Sequence, residues 1–261
     1  MTILDKIVAH KRVELEFYKQ ALTLEVLKSV PNFSRDCLSM KQSLLASDTG
    51  IIAEFKRRSP SRGFIHEGAD VKLIVEGYEN NGASAISVLA DKEFFGGSPV
   101  DMQIARNTVK HTPLLFKEFV IDEYQLYLAK ASGADAVLLI AAVLEQEVCS
   151  RFASLAKNLG LEVLLELHTK DEIAYVNPTV DMVGINNRNL KTFEVDLKGS
   201  IELCSLVPDS YIKVAESGLN SLETVKLLRQ KGFSGFLMGE YFMKEQDPAE
   251  ALKQFIKSLT V

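Results

Sequence analysis

The sequence contains no tryptophan and little cysteine: Cys37, Cys149 and Cys204 are its three cysteines in 261 residues. They are odd in number and far apart, and no pair has the short spacing of a metal site or a redox motif. We therefore predict three reduced thiols, which are typical of a reducing compartment, and we expect the protein in the cytoplasm.

Long apolar runs and an excess of positive charge are also absent. No segment approaches the roughly 20 apolar residues that a membrane-spanning helix requires. The N-terminus does not read as a secretory signal, because Asp5, Lys6, His10, Lys11 and Arg12 interrupt any apolar run. The net charge of −5 argues against a general nucleic-acid-binding protein, but it is compatible with a small anionic ligand.

Histidines at metal-ligand spacing are missing as well. His10, His66, His111 and His168 show no paired ligand spacing, so we predict no metal site. His168 follows a predicted strand, and we expect a structural or solvent-facing side chain there. No combination of serine, histidine and aspartate, or of cysteine and histidine, indicates a nucleophilic site.

What the sequence does contain is a repeated pattern, seen in NNGASAISVL (80–89), ASGADAVLLI (131–140) and QKGFSGFLMG (230–239). Each stretch has the end of a helix, a glycine, and then a short apolar run. Glycine just past a helix adopts the left-handed cap conformation at little cost. A strand buried between two layers is apolar on both faces. The pattern therefore predicts helix-to-strand units of a parallel sheet.

Eight strands and eight helices follow from extending this pattern. The predicted strands are 50–55, 84–89, 113–116, 135–140, 161–167, 181–185, 211–215 and 235–239, and the predicted helices are 70–81, 99–109, 121–132, 145–159, 169–176, 197–206, 221–231 and 247–259. Such alternation predicts a closed (β/α)8 barrel, the TIM barrel. An open doubly wound sheet is the alternative, but KRRSPSRG stands where its glycine-rich fingerprint would follow the first strand.

Residues 1–47 precede the predicted barrel. Apolar residues at helical spacing predict a helix near the N-terminus, and SRDCLSMKQSLLAS (34–47) predicts another. No linker or low-complexity tract interrupts the chain. We therefore predict one domain over 1–261, with a helical extension (1–47) docked on the barrel (48–261).

Strand parity brings polar side chains to one end of this barrel. Alternate strand residues face the interior, and active sites lie at the C-terminal mouth. At the ends of five inward rows stand Glu54, Lys56, Lys117, Glu166, Asn186, Arg188 and Glu216. Any one of these could simply meet solvent. Burying several unpaired charges is costly, so we predict a functional cluster that can act as general acid and base.

A phosphate site is predicted at the last two strands, which end in AESG (215–218) and FLMGEYF (236–242). Loops after strands 7 and 8 commonly bind phosphate in this fold through backbone N–H groups. Ser217, Gly218 and Gly239 suit that task, although the glycines could merely form tight turns.

Two further loops remain open to more than one interpretation. Phe94 or Phe95 in DKEFFGGSPVD (91–101) could cover an aromatic substrate or could pack against the barrel rim. A basic segment after the first strand could be a solvent-exposed loop or could help to attract an anion; it contains Arg57, Arg58 and Arg62.

Six stretches resemble, in order and spacing, the motifs of the indole-3-glycerol phosphate synthase family: AEFKRRSPSRG, LLFKEFVIDEYQ, LLELH, GINNRNL, VAESG and FLMGEYFM. The similarity runs from about residue 1 to the end. It implies a lyase of tryptophan biosynthesis that converts 1-(2-carboxyphenylamino)-1-deoxyribulose 5-phosphate to indole-3-glycerol phosphate without cofactor or metal. It implies a small phosphorylated aromatic substrate as partner, with no nucleic acid or membrane. A monomer is expected, and weak association with neighbouring pathway enzymes stays open.

The resemblance also implies roles for individual residues. Lys117 corresponds to the general acid for the substrate carbonyl, Glu166 to an acid/base partner in later proton transfers, and Glu54 and Lys56 to the remaining catalytic pair. The implied substrate-binding residues are Ser59, Phe95, Phe119, Asn186, Arg188 and Glu216, the implied phosphate-binding residues are Ser217, Gly218, Gly239 and Glu240, and the expected apolar walls include Leu89, Leu138 and Ile140.

The chain departs from the family pattern at three places, which are Ala90, the pair Arg57–Arg58 and the pair Tyr241–Phe242. These departures could change affinity or loop motion. Two alternative functions also stay open. A phosphoribosylanthranilate isomerase-type enzyme would need a cysteine at a strand end, and none stands there. A non-catalytic phosphate-binding barrel would need the phosphate loops but neither catalytic lysine nor glutamate.

Overall fold

Eight parallel strands form a closed barrel in the computed structural model, which describes residues 2–189 and 194–260. Each strand pairs with the next, and the eighth pairs in parallel with the first, Ile51 opposite Phe236. The strands are β1 Ile51–Phe55, β2 Ala85–Leu89, β3 Leu114–Lys117, β4 Ala136–Ile140, β5 Glu162–Leu167, β6 Met182–Asn186, β7 Ile212–Glu216 and β8 Gly235–Met238. The prediction of a TIM barrel preceded by helices is confirmed.

The helices alternate with these strands. The helices before the barrel are α1 Ile3–Ala21, α2 Leu24–Ser29, a 3₁₀ helix at Pro31–Ser34 and α3 Met40–Leu45. The helices around the barrel are α4 Val71–Asn80, α5 Pro99–Thr108, α6 Tyr124–Ser132, α7 Gln146–Asn158, a 3₁₀ helix at Lys170–Tyr175, α8 Leu197–Leu206, α9 Leu222–Gln230, α10 Glu240–Met243 and α11 Pro248–Leu259. Asp70, Ser98, Ser221 and Asp247 cap four of them by accepting first-turn N–H groups. No helix of the described residues has the length and apolar character to cross a membrane.

Alternation along the strands separates two cores, as parity predicted. The barrel interior is filled by inward side chains that include Ile52, Leu115, Leu164, Met182, Val214 and Leu237. Met40 and Leu44 of α3 join this cluster and close the N-terminal end of the barrel. The opposite faces of the strands pack against the surrounding helices in a second, larger core. Polar side chains are therefore left to the C-terminal mouth.

The predicted strands differ from the observed ones by at most one residue at either end. Helices differ more where side chains compete with helical hydrogen bonds. Residues 34–39 are not α-helical, because Ser39 caps α3 and the N–H of Leu38 donates to Asp135 at the barrel. Helix α6 begins only at Tyr124, because Gln125 accepts the N–H groups of residues 121 and 122.

Several elements differ in kind from the prediction, among them the 3₁₀ helix Pro31–Ser34 and the short helix α10, which were not predicted. The predicted helix at 169–176 is a 3₁₀ helix, Lys170–Tyr175. Helix α2 and a short hairpin, which pairs Arg58–Ser59 with Gly63–Phe64, were not predicted. The hairpin follows β1 and rises over the mouth, so it contributes to the site described next.

Candidate active site

A cavity of about 370 Å³ lies at the C-terminal ends of the barrel strands. Its lining contains every site residue predicted from the sequence: Glu54, Lys56, Ser59, Phe95, Lys117, Phe119, Glu166, Asn186, Arg188, Glu216, Ser217, Gly218, Gly239 and Glu240. The expected apolar walls Leu89, Leu138 and Ile140 line it too. The geometry thus brings these side chains together, while their chemical roles stay predictions.

Lys117 stands at the centre of the charged cluster. Its Nζ lies 3.2 Å from Glu166 Oε2 and 2.5 Å from Glu216 Oε2. A second pair is formed within β1 and the residue after it, where Lys56 Nζ lies 2.7 Å from Glu54 Oε1. Ser87 of the neighbouring strand donates to the other Glu54 oxygen at 3.4 Å. Three carboxylates and two ammonium groups therefore share the mouth.

The environment fixes the charge state of two members of this cluster. Burial alone would lower the pKa of Lys117, but the charges of Glu216, Glu166 and Glu54 outweigh it and raise the pKa well above the usual range. Burial would raise the pKa of Glu166, but Lys117, His168 and Asn186 outweigh it and lower the pKa. At neutral pH Lys117 is therefore protonated and Glu166 ionised.

Glu216 differs from Glu166 although both contact the same ammonium. Burial and the nearby Glu166 raise the pKa of Glu216 to about 7 against the opposing effect of Lys117. Its Oε1 atom is buried without a hydrogen-bond partner among the described residues. A Cβ at Gly184 of β6 would lie 2.2 Å from this oxygen. A larger residue at position 184 would therefore displace the Glu216 carboxyl group. Glu216 can therefore carry or release a proton near neutral pH.

Two side chains hold the outer oxygen of Glu166. Asn186 Nδ2 donates to Glu166 Oε1 at 3.1 Å. His168 Nε2 lies 3.1 Å from the same oxygen, and the ring is largely buried. The solvent-facing alternative for His168 is thus wrong, and the sequence signal for its contact is that it is the next inward position after Glu166.

The loop after β7, where phosphate binding is predicted, has a left-handed backbone at two successive residues. Ser217 and Gly218 both have positive φ, 65° and 68°, and Asn187 Nδ2 donates to the Ser217 carbonyl at 2.7 Å. Successive residues of this kind can turn their N–H groups toward one anion. Gly239 has a second reason to be glycine, because an added Cβ would lie 2.6 Å from Glu54 Oε1.

The aromatic side of the cavity combines predicted and unpredicted residues. Phe95 and Phe119 lie with ring centroids 5.9 Å apart. Ile3, Leu4 and Ile7 of α1 also line the cavity. Their helical spacing indicated a docked helix, but one sequence cannot show that the helix docks at the mouth. The N-terminal extension therefore supplies part of the wall.

The arginines after β1 take different positions. Arg57 contacts both carboxylate oxygens of Asp101, at 2.8 and 2.9 Å, and binds the Gly96 carbonyl, so it ties the loop after β1 to the loop after β2. Arg62 lines the cavity and reaches Glu240 at 3.2 Å. Arg57 is therefore neither solvated nor aimed at a ligand, whereas Arg62 is available to one.

Glu14, Asp91 and Glu118 form an acidic cluster beside the cavity, with oxygens within 4.8 Å of one another. Lys11 of α1 contacts each of them, at 2.5, 2.8 and 2.9 Å. The buried ammonium already provides the cluster with positive charge. Its role is to fasten α1 to the ends of β2 and β3.

Comparison with known proteins identifies the family of the chain. The family model described as indole-3-glycerol phosphate synthase matches residues 4–255. A protein of that name from Bacteroides thetaiotaomicron is 51% identical over 257 residues, 98% of each chain. One from Neisseria meningitidis is 41% identical, covering 97% of this chain and 99% of its own.

Solved structures share the fold at much lower identity. A thiamine phosphate pyrophosphorylase from Pyrococcus furiosus is 17% identical with a TM-score of 0.62, covering 85% of this chain and 98% of its own. A mutant tryptophan synthase alpha-subunit from the same organism is 16% identical with a TM-score of 0.60, covering 82% and 98%. These likenesses show the barrel alone, while the sequence relatives and the family model reach further: the chain belongs to the indole-3-glycerol phosphate synthase family.

Proposed function

We propose that the chain converts 1-(2-carboxyphenylamino)-1-deoxyribulose 5-phosphate to indole-3-glycerol phosphate, with loss of carbon dioxide and water, as a step of tryptophan biosynthesis. The observation that carries this proposal is Lys117, an ammonium group held between Glu166 and Glu216 at the mouth of the cavity. Ring closure needs an acid, a base, and cations for a carboxylate and a phosphate, and the cavity wall offers each.

Lys117 is the proposed acid for the substrate carbonyl. Its raised pKa keeps it protonated, so it can donate a proton as the carbonyl carbon is attacked and negative charge develops on the oxygen. Glu216 lies 2.5 Å away and has a pKa of about 7, so it can return a proton to Lys117 between steps. In this proposal Lys117 donates the proton to the substrate, and Glu216 restores the proton to Lys117.

Glu166 is the proposed base that removes the ring proton, because its lowered pKa keeps it ionised. Lys56 is the proposed partner of the substrate carboxylate. It is oriented by Glu54 and is the more exposed of the two lysines. Asn186 and Arg188 would orient the substrate between these groups.

The two ends of the substrate fit two sides of the cavity. Phe95, Phe119 and the apolar walls would contact the aromatic ring. Ser217 and the backbone at 218, 239 and 240 would bind the phosphate, and Ser59 would approach from the loop after β1. Lys117 lines the same cavity as both proposed subsites, which supports its proposed role at the reacting carbonyl.

We further propose that residues 1–261 form one domain, since α1 and α3 contribute to the cavity and the barrel core, respectively. The unpaired thiols of Cys37, Cys149 and Cys204 support the expectation of a cytoplasmic enzyme. A monomer, without stable association with other pathway enzymes, is the expected state in solution. Size-exclusion chromatography with light scattering measures it.

The proposal is tested by adding the carboxyphenylamino substrate to the purified protein and following the fluorescence of the indole product. We expect turnover by the wild type and none detectable with Lys117→Ala. The variant should still bind an unreactive reduced analogue of the substrate. A folded wild type that binds the analogue without turnover would instead support the non-catalytic phosphate-binding barrel.

A further inference from the structure

His168 is a buried ionisable side chain that the proposed mechanism does not use. It follows β5 directly, and its ring lies between two carboxylates from different elements. Nε2 is 3.1 Å from Glu166 Oε1, and Nδ1 is 3.9 Å from Glu172 Oε2 in the 3₁₀ helix. Both ring nitrogens thus lie within ion-pair distance of a carboxylate, and neither makes a hydrogen bond of good geometry among the described residues.

The ring position favours the doubly protonated imidazolium. A neutral imidazole has one N–H group and one lone pair, so one of its nitrogens would present a lone pair to a carboxylate. With both nitrogens protonated, the ring carries a positive charge between the two carboxylates instead. Glu172 is itself fixed, because its Oε2 accepts the backbone N–H groups of residues 168 and 169, at 2.5 and 3.1 Å.

The charges around the ring point the same way. The carboxylates of Glu166, Glu172 and Glu216 face it from β5, the 3₁₀ helix and β7, and together they raise its pKa although burial would lower it. The nearest cation of the cluster, Lys117, contacts Glu166 from the other side at 3.2 Å. The groups therefore alternate in sign from Glu172 through the ring to Glu166 and Lys117.

We infer that protonated His168 is a positioning residue that orients the Glu166 carboxylate and keeps it ionised for its role as base. Asn186 donates a hydrogen bond to Glu166 Oε1, and the His168 ring places a positive charge 3.1 Å from the same oxygen. Without the ring, Asn186 alone would remain against this oxygen. Its carboxylate could then rotate, and it would hold its negative charge less strongly. The kinetic consequence rests on the proposed function, but the protonation state of the ring does not.

The first experiment therefore needs no substrate. Titration of the four histidines by imidazole NMR should give His168 a pKa above about 6.5, the ordinary value. Glu166→Gln and Glu172→Gln should each lower that value, because each removes a negative charge beside the ring. His168→Gln identifies the resonance, and the exposed His111 serves as the reference. A His168 pKa at or below the ordinary value, or one unmoved by Glu166→Gln, overturns the inference whatever the protein catalyses.

The second experiment separates charge from hydrogen bonding. We expect His168→Leu to lower kcat roughly ten- to hundredfold with little change in KM, and to move the acid-side limb of the kcat profile to higher pH. His168→Gln can still donate an N–H group to Glu166, so it should restore part of kcat while the limb stays displaced. His111→Gln is the matched control. The wild type must be active, and the variants must keep its melting temperature. If both His168 variants then keep the kcat and the pH profile of the wild type, the inference is contradicted. A wild type without turnover contradicts the proposed function instead.

Discussion

The two ends of the barrel both bury charged side chains, but they satisfy them differently. At the N-terminal end, Asp135 stands just before β4 and is fully buried. Its Oδ1 accepts from Arg35 at 2.7 Å and from the Leu38 N–H at 2.8 Å. Its Oδ2 accepts from Arg106 and from the Leu114 N–H, both at 2.8 Å. Every lone-pair direction of this carboxylate has a donor.

At the mouth, the carboxylates compete for donors. Glu166 and Glu216 share Lys117, and one oxygen of Glu216 has no hydrogen-bond partner among the described residues. Burial and the neighbouring charge of Glu166 raise the pKa of Glu216 to about 7, although Lys117 opposes them. A saturated carboxylate such as Asp135 stabilises one structure, whereas carboxylates that share one ammonium can exchange a proton. The N-terminal end is therefore suited to stability, and the mouth to acid–base chemistry.

The largest effect is expected from a substitution at the N-terminal end of the barrel, where Asp135 accepts its four hydrogen bonds. In Asp135→Asn, the amide NH₂ faces donors where an oxygen accepted two bonds, and Arg35 and Arg106 lose their counter-charge. We expect the free energy of unfolding to fall by about 3–5 kcal/mol. Denaturant unfolding measures it. The kcat of the folded fraction should stay unchanged, and a loss of kcat with full stability would show that the two ends are coupled.

The reverse pattern, a loss of kcat with little loss of stability, is expected for a carboxylate at the mouth end of β5. β5 carries Glu162 at its N-terminal end, bound by the Ser39 hydroxyl and the Lys41 N–H, and Glu166 at the mouth. Glu166→Gln should lower kcat about 10²- to 10³-fold, because an amide cannot accept the ring proton. Stability should change by less than about 1 kcal/mol, because Glu216 can ionise in its place beside Lys117.

The matched control for this prediction is Glu162→Gln. It should reduce the free energy of unfolding by about 1 kcal/mol and leave kcat within about twofold of wild type. Steady-state kinetics and denaturant unfolding on both variants give the comparison. A large kcat loss for Glu162→Gln would mean that charge on β5 acts on catalysis from either end.

Most of the mouth was predictable from the sequence for a simple physical reason. The strand period of two fixes which residues face inward, so the sequence alone places Lys117, Glu166 and Glu216 together at one end of the barrel. Predicting their partners required distances. Nothing in the sequence shows that Lys117 contacts Glu216 more closely than Glu166, or that the two carboxyl groups differ in pKa.

The saturated end was the part that escaped sequence reasoning. Asp135 lies in ASGADAVLLI, where it reads as a turn residue after a glycine cap. Its role depends on Arg35 and Leu38, about a hundred residues away along the chain. The same long-range contacts explain why residues 35–39 do not continue into a helix with α3. The local sequence pattern predicts helices, strands and their buried faces. It does not predict which residue of a distant element donates a hydrogen bond.

The burial of Glu216 at the mouth also predicts a pH dependence of stability. The pKa of Glu216 is raised from 4.5 to about 7, so the folded state binds its proton more tightly than the unfolded state does. The stabilisation is full below about pH 4.5 and is lost as the pH rises through about 7. Glu118, with a pKa also raised to about 7, contributes with the same sign.

The Glu216→Gln variant isolates this contribution. We expect wild-type stability to fall by roughly 2–3 kcal/mol between about pH 4.5 and pH 8 from Glu216, and the variant to lose that part of the decline. Denaturant unfolding across the pH range measures both proteins. Parallel curves would show that Glu216 titrates alike in the folded and unfolded states.

The smallest expected effect comes from moving the Glu216 carboxyl group without removing it. In Gly184→Ala the new methyl group would lie 2.2 Å from Glu216 Oε1, so the carboxyl group must shift away from its place beside Lys117. We expect kcat to fall about tenfold, which corresponds to about 1.4 kcal/mol, and the NMR or kinetic pKa assigned to Glu216 to change. Gly68→Ala is the matched control, because a Cβ there meets no atom within 4 Å and the backbone is not left-handed. If Gly184→Ala keeps full kcat, the position of Glu216 beside Lys117 is not needed for proton supply, and Lys117 must be recharged from solvent.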